Sequence, residues 1–161
     1  MAFQHSDFGV LPQNFYDTST TQNAPLGTVR RGQDAVYGEG EFVYLRGVVG
    51  TVAGDAVIYD QRLGTTTRAV AGSRGPMAIA LSANVANQYG WYQVSGSAVA
   101  RTAAAAVANA PVYVTATAGQ VDDAVVATDK VDGARYKSAS DVPSAGFAVL
   151  QLSRPSLNGN G

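Results

Sequence analysis

From Gly40 onward the chain is a succession of short segments in which apolar side chains recur at alternate positions, separated by Gly, Asn, Asp and Ser. The segments "EFVYLRGVV", "AVIYD", "TTTRAVA", "MAIAL", "GWYQV", "SAVAR", "PVYVTAT", "AVVA", "ARYKS" and "GFAVLQL" predict strands at the close spacing of an antiparallel β-sandwich or small β-barrel. Only Ser82 to Gln88 and Thr102 to Ala108 have the composition of helix, and both are too short to hold one without packing. "AGDAVIYD" followed by "GPMAIAL" is echoed by "ANAPVYVT" followed by "GFAVLQL". This weak repeat sets Val57 against Val112 and Ala78 against Ala148, with about 15 extra residues in the second half around "AGQVDDAVVATDKVDG".

The faces of these strands differ in a way that bears on function. In "EFVYLR" Val43 and Leu45 point to one side and Phe42 and Tyr44 to the other, and in "GWYQV" Trp91 is separated from Tyr92 and Val94. A strand apolar on both faces has to be covered on both. In "PVYVTAT" Val112 and Val114 form a core face, while Tyr113, Thr115 and Thr117 form an outer one. Tyr and Trp on a second face suit a protein interface, or a cover supplied by the same chain.

Residues 1–35 break the pattern. "HSDFGVLPQNFYDTSTTQNAPLG" is rich in Gln, Asn, Ser, Thr and Pro, has no periodicity, and carries Phe3, Phe8, Phe15 and Tyr16 as isolated anchors. These features predict an extended N-terminal arm lying on its own domain or on a neighbour. Removing residues 1–24 is expected to leave the domain folded and weaken its attachment to a partner. Residues 36–154 are the predicted β domain, and residues 155–161, within "SRPSLNGNG", a flexible tail.

Composition agrees with an all-β domain: 21 Val stand against 8 Leu and 2 Ile, and β-branched residues fit pleated strands. Charge is sparse and nearly balanced, with 11 basic and 12 acidic residues. Arg30-Arg31 is the only adjacent basic pair, so a nucleic-acid partner is not expected. The longest small-apolar run, "AAAAVA", is too short to span a bilayer, and "MAFQHSDFGV" lacks the features of a secretory signal, so no membrane association is expected. With no cysteine there is neither a disulfide nor a thiolate metal site.

Candidate chemistry is thin. His5 is the only histidine and lies in the arm, which leaves no imidazole-based triad or zinc site in the β domain. Glu39 and Glu41 would share one strand face, the arrangement a glycosidase uses, but charges at an exposed strand start are much the stronger explanation. Asp122, Asp123, Asp129 and Asp132 offer oxygen ligands at a spacing that matches no calcium loop, and no nucleotide-binding glycine motif occurs. A non-enzymatic protein without cofactor or metal is expected.

In "PLGTVRRGQDAVYGEGEFVYLRGV", "YGWYQVSGSAVAR", "APVYVTATAGQVD" and "AGFAVLQLSRP" the chain resembles the head decoration, or cement, proteins of tailed bacteriophages, over Pro25 to Pro155. The resemblance implies a compact β domain, often trimeric, made in the host cytoplasm and bound to the capsid exterior, where it clamps adjacent major-capsid subunits. Phe3, Phe8, Phe15, Tyr16, Arg30, Arg31, Tyr44, Tyr92 and Tyr113 are the residues expected to contact the major capsid protein or a second copy of the chain. The alternative from another class is a sugar-binding β-sandwich of a phage tail or host-attachment protein, with Trp91 or exposed tyrosines as the stacking platform.

Overall fold

The computed structural model describes residues 3–5 and 10–160, with His5 described by its backbone alone. The described residues contain no helix. Among the described residues, eleven strands form one antiparallel, sandwich-like sheet that does not close into a barrel. They are β1 (Gln4–His5), β2 (Val29–Asp34), β3 (Gly38–Arg46), β4 (Ala56–Tyr59), β5 (Thr66–Arg68), β6 (Gly75–Ala80), β7 (Tyr89–Arg101), β8 (Pro111–Val114), β9 (Val121–Asp122), β10 (Lys130–Tyr136) and β11 (Phe147–Leu157). Both stretches with helical composition are turns and loops. Asn87 lies at φ 61° and Ala105 at φ 70°, a conformation in which no right-handed helix can continue.

"GWYQV" and "SAVAR", separate strands by pattern, are one long β7 that serves two neighbours. Its first half pairs with β3, from Arg46↔Tyr89 to Phe42↔Gln93, and its second half with β11, from Ser95↔Ser153 to Arg101↔Phe147. The change of partner falls at a bulge, where the register with β3 slips between Glu41 and Phe42. Gly96 follows at φ 93°, and a Cβ there would collide with the Glu39 carbonyl oxygen, so the bend needs glycine. β6 joins β7 through Ile79↔Gln93 and β11 through Ser156↔Pro76, and β4 with β5 branches off β6.

Three apolar clusters follow from this path. Met77, Ile79, Val112, Tyr136, Leu150 and Leu152 belong to the largest, enclosed by β6, β8, β10 and β11. Val43, Leu45, Val57, Tyr92 and Val94 form a second, between β3 with the first half of β7 and β4 with β6. Phe42, Tyr44 and Trp91 form the third, on the opposite face of β3 and β7, with Phe3, Phe15 and Ala24 of the N-terminal segment on top. The two apolar faces read from alternation are therefore both real, and the same chain covers both.

Several boundaries differ from the pattern-based ones. β2 lies inside the segment assigned to the arm, because its alternation is carried by Gly32 and Asp34 rather than by apolar residues. β11 continues through Pro155 to Leu157, within the segment assigned to the tail: Pro155 and Leu157 are buried, and Leu157 pairs with Gly75 and Val131. "AVVA" is loop, and Val121–Asp122 is the strand. The halves of the weak repeat differ in pairing. Val57 and Ala78 are direct cross-strand partners, whereas β10 sits between the strands that carry Val112 and Ala148.

Candidate interaction surface

The N-terminal arm is a fitted part of the domain. β1 extends the sheet edge through Gln4↔Gln33 and His5↔Gly32. Beyond it, Phe15 packs on Phe42 with ring centroids 4.3 Å apart and the planes tilted by 32°, and meets Trp91 edge-on at 5.5 Å, while Phe3 meets Phe42 edge-on at 4.8 Å. The rings fit because Gly32 and Gly40 are direct cross-strand partners and leave a hole in the sheet face. A Cβ on Gly32 would lie 2.8 Å from Phe15 Cε2, and one on Gly40 would lie 3.2 Å from Phe3 Cε1.

Gln13 locks this arrangement from inside, at 8% exposure. Its Nε2 donates to the Asp17 and Tyr89 carbonyls at 2.8 and 2.9 Å. Its Oε1 accepts from the Tyr44 hydroxyl at 2.7 Å and from Asn23 Nδ2 at 3.0 Å, and its backbone carbonyl accepts from Trp91 Nε1 at 2.8 Å. The polar atoms of Trp91 and Tyr44, which an interface would otherwise have to satisfy, are met by the arm.

The nine residues expected to meet a partner are divided by this packing. Phe3, Phe15, Tyr44, Tyr92 and Tyr113 are buried within the chain, and Phe8 lies outside the described residues. Tyr44 and Tyr92, expected to contact a partner, are both 0% exposed: the arm covers the first, and the β4–β6 layer the second. Burial pushes the Tyr92 hydroxyl up to about 12, against the hydrogen bond from Asn84 Nδ2 at 2.9 Å, which favours ionisation. Arg31 is exposed and ion-paired with Glu39, and Arg30 is half-buried with Nη1 on the Val29 carbonyl at 3.1 Å. Tyr16, 37% exposed, remains at the surface; burial of the rest of the side chain raises its hydroxyl pKa, partly opposed by the hydrogen bond from the Phe3 amide.

Tyr16 lines an apolar groove of 340 Å³ together with Tyr37, Leu81, Val99, Pro143 and Phe147. The walls come from the arm, the β2–β3 turn, the end of β6, the outer face of β7 and the loop before β11. Ten large apolar side chains are exposed among the described residues, and Tyr16, Val36, Val52 and Val142 lie in the groove lining or one residue from it. Tyr16 is the exposed large apolar side chain of the lining itself, which makes the groove a candidate surface for a partner. Tyr37 and Phe147 escaped sequence reasoning because nothing local joins segments so far apart. The paired glycines, by contrast, had a readable signal: Gly32 and Gly40 are equidistant from the centre of one hairpin turn.

The candidate chemical groups are taken up by structural roles. Glu39 and Glu41 do share a groove, with Ser95, Gly96 and Gln151, and each has a cationic partner, Arg31 for Glu39 and Arg154 at 2.9 Å for Glu41. Asp129 is 4% exposed and holds Arg74 Nη1 at 2.9 Å and the Gly72 amide at 3.0 Å. Asp123 accepts from the Val107 amide, and Asp132 from Asn158 and Asn160. Among the described residues there is no cluster of three or more metal-ligating side chains, and no helix is long and apolar enough to cross a membrane. A scan against protein-family models, a search of curated proteins and a search of solved structures returned no match.

Proposed function

We propose that this chain is a structural virion protein that binds the outer surface of a phage head and clamps adjacent major-capsid subunits, acting by binding and not by catalysis. The observation that carries the reading is the exposed apolar groove of Tyr16, Tyr37, Pro143 and Phe147 on a domain of sparse, nearly balanced charge. The sequence resemblance over Pro25 to Pro155 supplies the class of partner. A homotrimer on the capsid lattice would present the groove three times, and linked weak contacts hold far better than any one of them.

Co-sedimentation with expanded empty heads tests this. Tyr16→Ala and Phe147→Ala are each expected to weaken head binding by about 30-fold, the equivalent of ~2 kcal/mol for an aromatic hot spot. Arg62→Ala, at an exposed position outside the groove lining, is the control. Light scattering on the free protein reads the trimer. Head binding that is indifferent to both groove variants would refute the assignment of the groove.

The sugar-binding reading loses Trp91 as a platform, since its ring is 0% exposed beneath the arm. Tyr16 and Tyr37 in the groove still offer stacking faces. Glycan binding by a protein that ignores heads would favour that class.

A further inference from the structure

The segment Asn158-Gly159-Asn160, expected to fray, instead clasps the start of β10. Asn158 Nδ2 donates to Asp132 Oδ2 at 3.1 Å and to Ser156 Oγ at 2.9 Å. Asn160 Nδ2 donates to the same Asp132 oxygen at 2.8 Å, and the Asn160 carbonyl accepts from the Lys130 amide at 3.3 Å. One carboxylate thus holds two side-chain amides, and the clasp depends on their N–H donors.

We propose that Asn158-Gly159 is a site of spontaneous deamidation whose conversion opens this clasp. In an Asn-Gly pair the following amide nitrogen carries no neighbouring Cβ to obstruct it. Gly159 N, on losing its proton, attacks Asn158 Cγ; the Cγ–Nδ2 bond breaks and the amide nitrogen leaves as ammonia. Water then opens the cyclic imide at either carbonyl, giving aspartate or isoaspartate. The net change consumes one water and releases one ammonia, with no oxidant or cofactor.

Two features of the site favour the step. Asn158 is exposed, so water reaches it. The Arg74 guanidinium, although Asp129 pairs with its Nη1, lies against Gly159 with Nε 3.3 Å from where a Cβ would stand, and a cation there eases loss of the Gly159 amide proton. The product replaces a donor by an acceptor and sets a second carboxylate against Asp132, which repels it. The Asn160 bonds to Asp132 and Lys130 lie on the same loop and are released with it.

The full-length chain incubated at mildly alkaline pH, followed by fragment mass spectrometry and amide hydrogen exchange, tests this. Conversion at residue 158, as a mixture of aspartate and isoaspartate, is expected, with exchange at Lys130 to Asp132 rising several-fold in step. The Asn158→Asp variant should show the faster exchange without ageing, and adding Asp132→Asn should restore the slow rate by removing the facing charge. The proposal is overturned if Asn158 keeps its amide under conditions that convert it in the urea-unfolded chain. Conversion confined to Asn160, or an Asn158→Asp variant with exchange like the parent's, also overturns it.

Discussion

Asp55 is the perturbation that tests the core of this fold most sharply. Its side chain is 0% exposed, and its carboxylate takes Arg68 Nε at 2.8 Å, the Val52 amide at 3.0 Å and Arg101 Nη1 on the other oxygen. These partners come from the end of β5, the loop before β4 and the end of β7. Arg68 also donates to the Ala118 carbonyl at 2.9 Å, so one buried anion ties four segments together. Replacing it with alanine leaves two guanidinium groups facing a void. Breaking a buried pair from one side costs roughly 3–5 kcal/mol, and more is lost because the Val52 amide is left without its acceptor. The arginine side chains are 24% and 26% exposed and can turn partly toward water, which places the expected loss for Asp55→Ala near the lower end, about 3 kcal/mol. For a chain of this size that is a fall in Tm of roughly 6–12 °C.

Urea unfolding followed by the fluorescence of Trp91, the only tryptophan, reads the change, with the midpoint expected to drop by about 1–2 M. A triple variant, Asp55→Leu with Arg68→Met and Arg101→Met, should recover much of the loss, because replacing a whole buried ion cluster with apolar groups is far less costly than orphaning part of it. A loss below about 1 kcal/mol for Asp55→Ala would refute the reasoning, since the arginines would then be satisfied without the carboxylate.

Two further outcomes follow from burial. Deleting residues 1–24 removes Gln13 and Phe15, bares Phe42 and Trp91 and takes away the protein acceptor of the Trp91 indole N–H; the truncated chain is therefore expected to melt much earlier or aggregate, and Phe15→Ala alone to cost about 3 kcal/mol in thermal or urea unfolding. An unchanged Tm after truncation would contradict the arm's place in the core. Tyr92, raised to about 12 by burial, ionises in the unfolded chain near pH 10 and in the folded one only about two units higher. Its stabilisation is thus full below pH 10 and lost between about pH 10 and 12, on the order of 3 kcal/mol, and Tyr92→Phe should flatten that part of a pH-dependent unfolding series.

Alternation of side chains was sufficient to determine the all-β class and the two faces of β3 and of the first half of β7, because strand geometry sends neighbouring residues to opposite sides whatever the rest of the chain does. Val43 with Leu45 and Phe42 with Tyr44 stand where their sequence positions put them. What covers the second face was decided only in three dimensions. The arm has no periodicity of its own, and its place follows from how two glycines opposite each other make room for two distant phenylalanine rings. The same holds for the merging of "GWYQV" and "SAVAR" into one strand, for the burial of Asp55 between two arginines and for the groove of Tyr16, Tyr37 and Phe147. Local pattern reports the conformation of a segment, whereas a groove, a buried ion pair or a covered face is a relation between segments far apart in the chain, and tertiary packing alone sets it.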